Sequence, residues 1–505
     1  MDLALNKIPM EGYACPLETV LYQEETQESI VPDACPDIAR VVCTEARAQL
    51  TRKETLEGKL ECGGSIRVTV VYLPDDQGGP RRMELTIPFR CSAAGAVNPG
   101  CPAVVSVRVT AAETRVLNPR KVLCRVELAT CCQVWSPREE VLCLPGETQE
   151  LALEQRLEEL ENYTAVAVAE KTFAFTDDVT LPASHPPVAE LLGHRLELRC
   201  GEAKVIGGKL IFKGEAVLQC RYATGEGTMA LGRWELPFSQ LLELEGVDEE
   251  GNCEVELAER ESQVLLTGDE EGRTLSVHME LLAQAVVRQN RAVRLFADAY
   301  STTHDLSVER QSLTLTQLWE ESGVNQLCRE VLETAQSARQ VEDCSVTLGP
   351  CQFRREEQEG VMTAQARVCA LYTDESGQLQ SLERSVEVSA RMAMPGHGEC
   401  RCRCALAGEV QAVAASGGIE LRVPVRFTYL TTVPHTLETV TALQAEEREE
   451  GEPQPSVRLR LAQKGEDLWD IAKACSAARA DILAANDLPD PDHLEGTLLL
   501  IPKSR

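Results

Sequence analysis

The run His397-Gly398-Glu399-Cys400-Arg401-Cys402-Arg403-Cys404 holds the residues best suited to chemistry, three thiols beside an imidazole. Such a set could hold zinc, which takes four nitrogen or sulfur donors in a closed structural site. The spacing points to packing instead. Alternation along a strand puts Cys400, Cys402 and Cys404 on one face and turns Arg401 and Arg403 to the other, the pattern of a buried strand. A cysteine also follows the matching turns at Pro99-Gly100-Cys101 and Gly251-Asn252-Cys253, without a histidine or a second ligand. No metal and no other cofactor is expected.

Catalytic sets are absent from the sequence. It contains no Cys-x-x-Cys pair, no Gly-x-Ser-x-Gly elbow, no phosphate-cradling Gly-Lys-Ser/Thr loop and no His-Glu-x-x-His helix. The seven histidines are scattered between His185 and His493, so no acid–base or nucleophilic group can be nominated. The chain is expected not to be an enzyme.

Charge narrows the partners. Eighty acidic residues against 50 basic ones give a net charge of -30 over 505 residues, which repels nucleic-acid backbones and anionic membrane surfaces. No window approaches the run of about 18 apolar residues that a membrane span needs. Met1 to Met10 lacks the pattern of an export signal, and the 21 cysteines are an odd number. Reduced thiols in a cytoplasm are the expectation.

The elements that carry these residues repeat. Gly64 to Tyr72 alternates apolar and polar residues as a strand, a turn follows, and a second run ends at Pro88-Phe89. Gly214 to Tyr222 with Pro237-Phe238 restates it, and Ala364 to Tyr372 restates it without the Pro-Phe. Tyr72, Tyr222 and Tyr372 stand 150 residues apart, a period that fits a repeated domain. The proline-bordered segment Val31 to Val42 recurs as Leu181 to Leu192, Pro32 matching Pro182, Pro36 matching Pro186 and Ile38 matching Val188. A short helical turn is expected behind those prolines, and a first strand over Thr19 to Thr26. Residues 149–163 have helix propensity but sit where the repeat places a strand, and both readings stand. Leu318 to Gln336 reads as a helical insertion in the third copy.

The Pro-Asp-Ile-Ala-Arg-Val segment, the Gly-to-Tyr strand, the Pro-Phe end and Leu117-Asn118-Pro119-Arg120-Lys121-Val122 resemble the SPOCS domain of endospore-forming bacteria. The fold expected is mainly β: tandem antiparallel, sandwich-like SPOCS domains followed by a small α+β domain. The copies are placed at 1–160, 161–298 and 299–432, the third divergent. Residues 433–456, with the acidic run Glu446 to Glu452, read as a solvated linker.

Residues 457–505 show a second resemblance. Gly465-Glu466-Asp467-Leu468-Trp469-Asp470-Ile471-Ala472, then Ile482 to Leu488, then Leu498 to Pro502 look like a LysM domain of βααβ order. Strands are expected at Leu459–Ala462 and Thr497–Ile501, and helices at Leu468–Cys475 and Arg479–Asn486, with Trp469 in the core. The resemblance implies a groove between two loops, whose residues here are Gly465, Glu466, Asp467 and Leu468 on one side and Asn486, Asp487, Leu488, Asp490 and Asp492 on the other. LysM loops that bind N-acetylglucosamine usually read Gly-Asp-Thr-Leu. Here Glu466 and Asp467 occupy both middle places, and a carboxylate stands where a hydroxyl is usual.

SPOCS copies ending in one LysM resemble the SipL type of spore-coat morphogenetic protein. That resemblance implies a non-enzymatic scaffold in the mother-cell cytoplasm at the surface of the developing spore. Its LysM would bind the basal-layer coat ATPase. The alternative is a LysM that holds peptidoglycan or another N-acetylglucosamine polymer in the cortex or wall. The acidic pair and the missing export signal favour the protein partner.

Overall fold

The structure is a computed structural model that describes residues 1–76, 78–146, 151–247, 251–268, 271–448, 455–488 and 494–503. It is mainly β, in several antiparallel sheets. The first copy comprises β1 (Leu5–Ile30), β2 (Ile38–Leu56), β3 (Lys59–Pro74), β4 (Arg81–Ala94), β5 (Ala103–Asn118) and β6 (Lys121–Pro145). The second repeats that order as β7 (Leu153–Thr180), β8 (Glu190–Ile206), β9 (Lys209–Ala223), β10 (Met229–Glu243), β11 (Asn252–Leu266) and β12 (Thr274–Ser301). The third breaks two of its strands, giving β13 (His304–Glu333), β14 (Ala338–Leu348), β15 (Gln352–Glu356), β16 (Glu359–Asp374), β17 (Leu379–Ala393), β18 (Glu399–Leu406), β19 (Gln411–Ala415) and β20 (Gly418–Glu447).

In each copy the first and last strands pair along their whole length: Leu5 with Pro145, Leu153 with Ser301, His304 with Glu447. A separate sheet, β2-β3-β4 or its counterpart, packs over that ribbon. Ile66, Val68 and Val70 of β3 meet Val122, Val126 and Leu128 of β6, and Phe212 and Leu218 of β9 meet Leu275, Val277 and Leu281 of β12. Sheet-on-sheet packing of this kind buries one face of each strand and explains the two-residue period. The pair Tyr13–Ala165 joins the first two ribbons into one six-stranded sheet.

The repeated motif has a geometric cause. Gly64 lies directly opposite Phe89, and Gly214 opposite Phe238. A Cβ on Gly64 would stand 3.0 Å from the Phe89 ring, and one on Gly214 2.6 Å from that of Phe238. The neighbouring backbone closes the same space: that Cβ would stand 1.9 Å from Gln49 O at Gly64 and 2.7 Å from Arg199 O at Gly214, so carbonyl and ring together leave room only for glycine. In the third copy the same register pairs Ala364 with Val388, so glycine and aromatic are lost together. Tyr72 and Tyr222 are buried and donate their hydroxyls to Pro36 O and Pro186 O at 3.2 and 3.1 Å, anchoring the proline segment in both copies. Tyr372 is buried without that bond, as its copy lacks the prolines.

The copies converge on a shared centre. Val71 and Leu371, three hundred residues apart, share one apolar cluster with Val42, Cys43, Leu192 and Ala223. The equivalent position in the second copy is Arg221, buried, which donates to Glu45 Oε1 at 2.8 Å, to Cys43 Sγ at 3.2 Å and to Asp343 Oδ2. Arg195 closes the set on Glu45 and Asp343 at 3.1 and 2.5 Å. Burial alone would push the Asp343 carboxyl up, but Arg195 and Arg221 outweigh it and hold that carboxyl below its ordinary value.

Three expectations are corrected, and the open reading of residues 149–163 resolves to strand where the chain is described. No helical turn follows Pro36, where β2 begins at Ile38 after a turn closed by Cys35 N–H on Pro32 O at 2.9 Å. Residues 153–163 are strand, the start of β7, while 149 and 150 lie outside the described residues. Leu318 to Glu333 is the second half of β13 and 334–336 follow its end, so the segment Leu318 to Gln336 is no helix, because pairing with β20 overrides the local pattern. The linker does not begin at Val433. Thr431, Thr432, Val433, Thr436, Val440 and Thr441 favour strand, and β20 carries them to Glu447 against β13.

Candidate functional site

The C-terminal module consists of β21 (Val457–Leu461), α1 (Leu468–Cys475), α2 (Arg479–Ala485) and β22 (Leu498–Pro502), with the two strands antiparallel. Leu468, Trp469, Ile471, Ala472, Ile482, Leu499 and Ile501 form its core, joined from the body by Tyr300. Helix α1 starts with a capping box: Asp467 accepts from the Asp470 N–H at 2.8 Å while the Asp470 carboxylate accepts from the Asp467 N–H at 3.3 Å. It ends at Ser476 in the left-handed conformation.

Most loop residues nominated from the sequence are engaged by the protein itself. Gly465 sits at φ +82° with open space around its missing Cβ, so the turn needs its conformation and not its size. Glu466 accepts from Gln463 N–H at 3.0 Å and from Arg460 at 2.6 Å, and those two donors, the backbone one first, hold its carboxyl below its ordinary value. Asp467 is the helix cap, and its second oxygen accepts from Arg156 of β7 at 3.1 Å. Leu468 is buried, and Leu488 packs partly against the same cluster, which brings the two loops together. Asn486 holds β22: its Oδ1 accepts from Leu500 N–H at 2.8 Å and its Nδ2 donates to Leu500 O at 2.6 Å. Asp487 is exposed. Asp490 and Asp492 lie outside the described residues.

The module is docked on the second copy. Trp469 donates its indole N–H to Asp298 Oδ2 at 2.9 Å, Lys473 reaches the same oxygen at 2.5 Å, and Arg310 takes Oδ1 at 2.6 Å. Burial would raise the Asp298 carboxyl, but the bonds from Lys473 and Trp469 hold it below its ordinary value. Tyr300 packs edge-on to Trp469 with ring centres 5.0 Å apart and donates to Ala477 O at 2.9 Å. Arg479 covers the indole at 5.3 Å and pairs with Glu154 of β7 at 3.4 Å. Sequence reading missed Glu154, Arg156, Asp298, Tyr300 and Arg310. They belong to strand ends of the body, and no local pattern ties them to a module far along the chain.

On the cysteine strand, Cys400, Cys402 and Cys404 turn into the core of the third copy, with Cys404 bonded to Gly349 O at 3.5 Å. Arg401 and Arg403 face the other way, Arg401 onto Glu18 at 3.0 Å and Arg403 onto Glu256 at 3.0 Å, so this face joins the third copy to the other two. Among the described residues no group of three or more His, Cys, Asp or Glu is placed to hold a metal, and no helix is long and apolar enough to cross a membrane.

Comparison with known proteins adds one match. Residues 37–117 match the family model described as SipL, SPOCS domain. No curated protein and no solved structure matches the chain. The matched stretch runs from the entrance of β2 to the end of β5, and it supports a sporulation protein of the SipL type.

Proposed function

We propose that the chain is a non-enzymatic scaffold of endospore coat assembly. Its C-terminal module, similar to a LysM domain, binds a basal-layer coat ATPase. The observation that carries this reading is the SPOCS match in the first copy, followed in the same chain by two further copies of its strand order and a βααβ module.

The module's surface favours a protein over a glycan. Trp469 is its only aromatic residue, and it is buried between Tyr300 and Arg479 with its N–H already used. No aromatic face is left on which a sugar ring could stack. Glu466 and Asp467 spend their oxygens on neighbouring donors. A protein partner needs neither.

A fluorescent fusion in sporulating cells tests this function. It should encircle the developing spore from the mother-cell side and require the basal-layer ATPase to do so, and deletion of the chain should leave coat unattached. A fusion that reaches the spore without the ATPase, or that follows cortex material, contradicts the reading.

A further inference from the structure

The module's two strands leave one sheet face bare. Val457, Leu459 and Leu461 of β21 are 50%, 66% and 59% exposed, and Leu498 and Leu500 across from them are 61% and 42% exposed. The other face sends Leu499 and Ile501 into the core. Five aliphatic side chains on a sheet this small form a contiguous apolar patch, and such patches on folded proteins mark contact sites.

The same strand has an open edge. Both peptide groups of Leu500 are taken by the Asn486 amide, so they point away from β21. Leu500 is the register partner of Leu459. In an antiparallel ladder such a pair is not hydrogen-bonded to itself, and the N–H and C=O of Leu459 must therefore point away from β22. The sheet has two strands, and among the described residues no third one meets β21. Asn486 closes the edge of β22, while the edge of β21 stays open.

Charge adds a third constraint. Neither strand contains an acid, and Arg458 of β21 and Lys503 just beyond β22 have no ion pair among the described residues. In a chain of net charge -30 this strip is locally cationic. Open backbone groups call for an extended segment, the leucines for apolar side chains on one face of it, and Arg458 for a carboxylate on the other.

We propose that β21 receives an extended, apolar and acidic segment of the protein partner as a third strand, pairing at Leu459 and setting its apolar side chains beside Leu459 and Leu461. This rests on the protein-partner reading above and names where on the module that partner sits.

The full-length chain and two variants test it against purified basal-layer coat ATPase. Leu459→Pro removes the outward N–H, which an edge strand tolerates but a third strand does not. Leu459→Gln with Leu461→Gln keeps the backbone and removes the apolar patch. Each variant should bind at least tenfold more weakly while melting within a few degrees of the parent, and the Leu459 amide of the parent should gain protection from hydrogen exchange in the complex. Unchanged affinity in a folded variant with the Leu459 amide unprotected overturns the site and leaves the protein-partner reading standing. No binding by the parent chain overturns both. Concentration-dependent dimerisation that the glutamine variant abolishes makes a second copy the occupant, and overturns the proposal as well.

Discussion

Trp469 of the C-terminal module and Asp298 of the second copy share a hydrogen bond of 2.9 Å although 171 residues separate them. Asp298 also receives Lys473 and Arg310, so one carboxylate ties helix α1 to two strands of the body. Asp298→Ala leaves the indole N–H and the Lys473 ammonium without their acceptor and should cost docking about 1–3 kcal/mol. Hydrogen exchange over residues 457–488 should accelerate while strands β7 and β12 keep their protection. The carboxyl is held below its ordinary value in the docked form, so its contribution is present above about pH 4 and is lost as pH falls below that. Protection of residues 457–488, taken relative to the unstructured exchange rate at the same pH, that does not fall between about pH 6 and about pH 3 contradicts the role given to Asp298.

The ionic group at the convergence of the three copies carries a second expectation. Asp343→Ala strands Arg195 and Arg221 in the interior and should destabilise the chain by roughly 3–5 kcal/mol. Replacing Arg221 by Leu, as Leu371 stands in the third copy, together with Asp343→Asn removes one charge of each sign and leaves Arg195 paired with Glu45, so it should cost less than Asp343→Ala alone. Urea unfolding of both variants decides between them. Asp343, too, is held below its ordinary value, so the parent's advantage over the double variant should shrink as pH falls below about 4.

Tyr72 and Tyr222 hold the proline segments through one hydroxyl bond each, and Tyr372 has no such partner among the described residues. Tyr72→Phe and Tyr222→Phe should each cost about 1 kcal/mol, and Tyr372→Phe should cost close to nothing. Equal losses at all three positions in thermal unfolding would mean that the anchor is not what the tyrosines supply.

Cysteines 400, 402 and 404 are packing groups here, so a chelator should leave the melting temperature unchanged. One zinc per purified chain, with a melting temperature that falls on its removal, would reverse that assignment.

The repeat was legible because the physics that fixes it is local. A glycine must fit between a backbone carbonyl and an aromatic ring, and a tyrosine must reach a proline carbonyl, so the sequence shows Gly, Tyr and Phe at fixed offsets. Alternation likewise gave the two faces of the cysteine strand. Long-range pairing was not legible. Leu327 and Val331 lie exposed on β13, where their spacing imitates a helix, and the partner strand that fixes them lies about ninety residues on. In the module the helices could be read from capping and apolar period, whereas the contacts that engage Asp467 and Trp469 come from Arg156 and Asp298, which carry no motif. Nomination of Asp467 and Asn486 as ligand groups followed from family likeness, and the structure gives both a structural bond set.

Titration of the full-length chain with purified basal-layer coat ATPase and, in parallel, with N-acetylglucosamine oligomers, at low and high salt, decides between a protein and a glycan as the module's ligand. Charge reversal at the exposed Asp487 serves as a surface control. Saturable, salt-weakened binding to the ATPase and none to the sugar is expected. Binding to the oligomers alone would overturn the protein-partner reading and make the chain a wall-binding protein.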